Sequence, residues 1–100
     1  MTLITREMAL SAIRIVMPFT KAYELTQHGP EEYSLDCDLY EYRFKRMNGV
    51  PAVRVRYKPT GKLSLAYFVR FAESYDKELC AVMTRKATQR ELERLRDYII

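Results

Sequence analysis

Asn48-Gly49 sits between two alternating stretches, and no other feature narrows the fold as much. Asn-Gly is the strongest short hairpin signal, because both central residues of a tight type I′ turn take φ > 0. The chain reads YEYRFKRM before the turn and VPAVRVRY after it. A two-residue loop sets Phe44 opposite Val53, Tyr42 opposite Val55 and Tyr40 opposite Tyr57. All three pairs are apolar and share one face. On the other face Glu41 meets Arg56 and Arg43 meets Arg54. A slip of one residue would exchange the two faces, so the pattern supports only this register.

Pro59-Thr60-Gly61 marks the next turn. A three-residue loop puts Tyr57 opposite Leu63, Val55 opposite Leu65 and Val53 opposite Tyr67. It keeps the faces consistent, with Gly61 in the left-handed position. A third strand then runs from about Lys62 to Ala72. LSLAYFVRFA is apolar enough for a helix, but its aromatic and β-branched content favours strand. Glu73 to Lys77 is a polar loop, and Leu79 to Thr84 reads as a short fourth strand. Before the hairpin, Tyr33, Leu35, Cys37 and Leu39 alternate with polar residues. The apolar phase then slips to Tyr40, Tyr42 and Phe44. The slip predicts one strand with a β-bulge near Leu39–Tyr40.

Thr5 is placed to cap a helix whose apolar positions Met8, Ala12, Ile15 and Val16 recur at helical spacing. Pro18 ends or kinks it, a second helical piece is expected from about Phe19 to Gln27, and His28-Gly29-Pro30 is a stop. At the other end, Thr88-Gln89-Arg90-Glu91 is a capping box, followed by Leu92, Leu95 and Ile99, with Arg90, Glu93, Arg94 and Asp97 outside. Residues 1–100 thus read as a single α+β domain: an antiparallel β-meander of three to four strands, covered on one face by an N-terminal and a C-terminal helix. The order helix, three strands, helix resembles that of a double-stranded-RNA-binding domain, in topology alone. The lysine-rich start expected of the last helix in that family is reduced here to Arg85-Lys86, and a fourth strand intervenes.

Charge is distributed unevenly. Residues 1–42 carry three basic and seven acidic side chains, whereas residues 43–72 carry eight basic and none acidic. By parity, the face opposite the core presents Arg43, Lys45, Arg54, Arg56 and Lys58, joined on the third strand by Phe68 and Arg70. A solvated sheet face normally mixes signs, and here Glu41 alone opposes the cations. Arginine suits bidentate contact with phosphate or carboxylate, and Phe68 would add a stacking or apolar contact within the charge. These seven residues are the candidate binding site. By the same parity Tyr40, Tyr42, Tyr57 and Tyr67 pack in the core. Tyr23, Tyr75 and Tyr33 lie in or beside loops, where exposed tyrosines serve as interface anchors.

Catalytic chemistry finds no foothold. No GxxxxGK[ST], GxGxxG, HExxH, GxSxG or CxxC motif is present. Asp36 and Asp38 share a strand face without a histidine or third ligand, so they read as solvated. His28, the single histidine, reads as a loop residue. Cys37 and Cys80 show no metal spacing and read as reduced core thiols, bridged only if their strands are neighbours. No metal, cofactor or catalytic residue is expected. The opening MTLITREMAL lacks the layout of a signal peptide, and no apolar run reaches the ~18 residues of a membrane span. A cytoplasmic location without membrane contact is expected. The function expected is a small non-enzymatic binding module whose basic face docks on nucleic acid or a nucleoprotein complex. The alternative is a protein inhibitor or adaptor, of the phage-accessory or anti-CRISPR-like kind, that binds an acidic protein surface. Compact basic chains of this length are often of that kind.

Overall fold

The computed structural model describes residues 3–95. Helix α1 (Arg6–Ile13) is followed by a 3-10 turn (Ala22–Glu24) and six strands: β1 (Thr26–Gly29), β2 (Glu32–Asp36), β3 (Tyr40–Met47), β4 (Val50–Tyr57), β5 (Lys62–Glu73) and β6 (Leu79–Lys86). Helix α2 (Gln89–Leu95) closes the described chain. The strands form one antiparallel sheet in sequence order, so every neighbour is a hairpin neighbour.

The β3–β4 hairpin has the register set by its turn. Met47 pairs with Val50, Phe44 with Val53, Tyr42 with Val55 and Tyr40 with Tyr57. Asn48 and Gly49 both take positive φ, 52° and 81°, as a type I′ turn requires. Both helix starts also follow the sequence. The Thr5 hydroxyl accepts a hydrogen bond from the Met8 amide at 3.3 Å. Thr88 and Glu91 exchange the two bonds of a capping box, at 3.0 and 3.2 Å. Ile99 and Asp97 lie outside the described residues.

Four expectations are corrected. The first is the strand count, six rather than three to four. The Tyr33–Lys45 stretch is two strands, because the phase slip near Leu39 is a tight turn: the Cys37 amide donates to the Tyr40 carbonyl at 2.9 Å and the chain reverses. A turn inverts the parity of side chains just as a bulge does. The second is the helical piece expected over Phe19–Gln27. It shrinks to the 3-10 turn, and Thr26–Gly29 pairs with β2 as an edge strand that ends in the Pro30–Glu31 turn.

The third correction is the β4–β5 connection. It has four residues, Lys58–Gly61, with Tyr57 paired to Lys62 and Val55 still paired to Leu65. The register shift between Val55 and Arg56 leaves Ser64 as the extra residue, its hydroxyl donating to the Val55 carbonyl at 3.1 Å. The bulge sets Leu63 opposite Arg56 and so turns it to the face away from α1.

That inversion explains the fourth correction: the helices cover opposite faces. Helix α1 packs Met8, Ala9, Ala12 and Ile13 on Tyr33, Leu35, Tyr42, Phe44, Val53, Val55, Tyr67 and Val69. Helix α2 packs Leu92 and Leu95 with Met47, Ala52, Leu63 and Ala66, on the reverse face. LSLAYFVRFA, apolar enough for a helix, is strand within β5. Among the described residues, no helix is long and apolar enough to cross a membrane.

Polar contacts fix α1 in place. The Tyr67 hydroxyl donates to the Ala12 carbonyl at 2.8 Å inside the core. Burial pushes that phenol well above the usual tyrosine range, so it remains a donor at any ordinary pH. The Ser11 hydroxyl accepts from the Ala81 amide at 2.7 Å, which caps an outward-facing donor on the β6 edge. Glu31 accepts from the Ile4 amide at 2.7 Å and from Arg46, tying the start of the chain to β3. Tyr67→Phe removes the buried hydroxyl donor and leaves the Ala12 carbonyl with the Ile15 amide, at 3.2 Å, as its remaining donor. It is expected to cost about 1 kcal/mol and to lower Tm by roughly 4–8 °C, read by thermal unfolding followed by circular dichroism.

Candidate functional site

The face opposite α1 carries the predicted cations, but it is neither acid-free nor open. Because β2 pairs with β3, Ser34 stands opposite Arg43 and Asp36 opposite Glu41. Three predicted cations therefore find carboxylates within the sheet. Lys45 pairs with Glu32 at 3.5 Å, Arg56 with Glu41 at 3.3 Å, and Lys58 with Asp36. Two of these three anions come from β2, whose contribution to this face depended on reading it as a separate strand. Arg46, from the same basic block, is held by Glu31 at 3.0 Å. That contact and the Ile4 amide keep the Glu31 carboxyl below the usual range.

Arg43, Arg54 and Arg56 converge on a small cavity lined also by Glu41 and Leu63. Arg43 and Arg54 are directly opposite in the ladder. The Nε atoms of Arg43 and Arg56 are buried and meet no acceptor among the described residues. Arg54 is 4 % exposed. Burial first, then the neighbouring Arg43 charge, pull its guanidinium below the usual arginine range, while Glu32 and Glu41 act the other way. It stays cationic at neutral pH. A side chain so enclosed is unavailable to a phosphate backbone.

Phe68 is half-buried against the α2 cluster, and the Arg85 guanidinium lies 4.7 Å from its ring centroid. Arg85 is fixed in turn by Glu91 through two bonds of 2.6 and 2.7 Å. Arg70, exposed and paired across the ladder with Val82, stands apart from the arginine cavity. The seven candidates thus do share one face, but divide into three ion-paired or neutralised cations, an enclosed arginine pair, a ring under α2 and one exposed arginine. Glu41, the one carboxylate expected on this face, is joined there by Glu32 and Asp36 from β2.

The remaining candidates separate cleanly. Tyr33 is a core residue with the Arg6 guanidinium 5.3 Å from its ring centroid, whereas Tyr23 and Tyr75 stand in solvent. The His28 ring is 2.7 Å from the Ser34 hydroxyl. Cys37 and Cys80 are free and lie at opposite sides of the sheet, with β3, β4 and β5 between them. Burial, then Asp36 and Glu24, push the Cys37 thiol above its usual range, which makes it a poor nucleophile. Among the described residues no three His, Cys, Asp or Glu side chains come together as a metal site.

Sequence reasoning missed one surface. Phe19 is 89 % exposed and borders a groove with Met17, Pro18, Leu35 and Cys37, at the β2–β3 end of the sheet. Leu39, 51 % exposed, and the Tyr40–Tyr57 ring pair lie at the same end. Phe19 sits in a segment expected to be helical, and its exposure depends on where the turn after α1 points. No protein family, curated protein or solved structure matches the chain.

Two outcomes are expected. Arg43→Gln relieves the like-charge pair with Arg54 and should raise the urea midpoint, by a stability gain of about 0.5 kcal/mol. The Glu91 carboxyl is held down to about 2, chiefly by Arg85 and then by the Thr88 amide. A depressed carboxyl stabilises above its unfolded value and loses that contribution as pH falls through the folded one. The start of α2 should therefore loosen between about pH 4.5 and 2, seen as faster exchange of the Leu92 amide after intrinsic acid effects are removed. In Glu91→Gln that extra acid dependence should vanish.

Proposed function

We propose that the chain is a small non-enzymatic protein-binding module of the inhibitor or adaptor kind. The observation that carries this reading is the exposed apolar surface around Phe19, Leu39 and Tyr40 at one end of the sheet. Large side chains of this type anchor protein interfaces, where burial of one aromatic contributes far more than a rim charge. Nucleic-acid docking on the basic face loses support from the same structure. Affinity for a phosphate backbone comes from cations free to replace counterions, and Lys45, Arg56 and Lys58 already have carboxylate partners.

A second reading keeps the anionic partner, nucleic acid or an acidic protein surface. It is favoured by the convergence of Arg43, Arg54 and Arg56 around one cavity with Glu41 as its single carboxylate. Fluorescence anisotropy with labelled duplex DNA, single-stranded DNA and RNA across a salt series separates nucleic acid from protein. The protein-binding reading expects a slope of log K on log salt below that of one phosphate contact. A slope of three or more contacts, at roughly 0.7 to 0.9 per phosphate, abolished by Arg43→Glu with Arg56→Glu, would overturn it. In nuclease-treated lysate the chain should retain a protein partner, and retention of none would count against the reading.

A further inference from the structure

The apolar end of the sheet is left open by the geometry of α1. The helix stops at Ile13, and the chain turns back through Pro18, with the Thr20 hydroxyl on the Met17 carbonyl at 2.8 Å and Arg14 Nε on the Thr20 carbonyl at 2.8 Å. Ile15, Val16 and Met17 still pack on the core cluster that holds Leu35, Tyr42 and Val55. The next pair on that face, Tyr40 and Tyr57, lies beyond, with ring centroids 5.3 Å apart. Phe19 projects from the turn across the groove from Cys37.

The rim of this surface is acidic. Glu24 and Asp36 line the groove, and Asp38 follows Cys37 in the exposed β2–β3 turn. The cations nearby are Lys58, engaged by Asp36, Arg14, whose Nε is taken up by the Thr20 carbonyl at 2.8 Å, and Lys21 at the start of the 3-10 turn that carries Glu24. Asp36 keeps two thirds of its side chain in solvent despite that pairing, 68 % by area. Burial pushes the Cys37 thiol upward most, and of the charges acting on it Asp36, Glu24 and Asp38 add to that push while Lys58 opposes it.

We infer that this end of the sheet docks a cationic polypeptide segment, in which apolar side chains seat on Phe19 and Leu39 while interspersed Lys or Arg side chains meet Glu24, Asp36 and Asp38. The inference rests on the chain being a protein-binding module and adds the chemistry of its partner. An apolar anchor within a charged rim is the usual layout of a protein interface, and the charged rim selects the partner by sign. Local charge here runs against the whole. The chain carries +4, so non-specific electrostatics would draw an acidic peptide and repel a basic one.

That opposition makes the test direct. Anisotropy is measured with a labelled peptide alternating Arg and Leu, and with a Glu and Leu control of equal length. The basic peptide should bind at least tenfold more tightly. Phe19→Ala should weaken it about tenfold, and Asp36→Asn with Asp38→Asn by a similar factor, each variant keeping the wild-type circular dichroism. Preference for the acidic peptide, or wild-type binding of the basic one by all these variants, would overturn the inference. The protein-binding reading is tested apart from this. A partner kept from nuclease-treated lysate equally by wild type and Phe19→Ala would sustain that reading while removing this site.

Discussion

Strand β4 is buried on both of its faces, and the rest of the structure follows from that. Its alternation of Val and Arg suggests a half-solvated strand, one side for the core and one for water. Instead Val53 and Val55 lie under α1, while Ala52 and Arg54 are buried on the reverse face, where α2 packs. The type I′ turn at Asn48-Gly49 fixes which residues go to which side, since a slip of one residue would place Arg54 beneath α1. A buried guanidinium is tolerable only where counter-charge is near. The sheet supplies it through Glu32 and Glu41, both of which pull the Arg54 charge toward its ionised form.

Local signals in the sequence are legible where the structure they encode is itself local. The hairpin register, the Thr5 cap and the Thr88–Glu91 box each involve residues within a few positions, and each is found. The phase slip at Leu39 is also local, but ambiguous in kind. A bulge and a tight turn invert parity alike, and Cys37-Asp38-Leu39 carries no glycine or proline to separate them. Leu63 shows the same limit on a smaller scale. Its side follows from Ser64 bulging out of the β5 ladder, which the Pro59–Gly61 turn alone does not determine. With Leu63 turned over, Leu92 and Leu95 have an apolar seat on the reverse face, and α2 takes it.

The basic face was the least legible feature because charge along the chain is not charge across a surface. Residues 43–72 contain no acid, yet their neighbours in space include Glu31, Glu32 and Asp36 from β2. An antiparallel sheet in sequence order brings each strand against the one before it, so the acidic segment preceding the basic block neutralises much of it. A like-sign run becomes a field only when the strands on either side fail to answer it.

The same logic locates the surface left over. Both sheet edges are restrained, β1 by its shortness and register shift and β6 by the Ser11 hydroxyl on the Ala81 amide. Both faces have a helix. What remains is the end of the strands, where the hairpins β2–β3 and β4–β5 outrun an eight-residue helix. At 1.5 Å of rise per residue α1 spans about 12 Å, whereas an eight-residue strand spans roughly 26 Å. One short helix cannot cover the length of β3 and β4. The uncovered pair is Tyr40 and Tyr57, whose amphipathic rings tolerate water while keeping apolar area available to a partner. A chain this small gains an exposed aromatic end from the mismatch between one helix and its strands, and the carboxylates of β2 and the following turn give that end its sign.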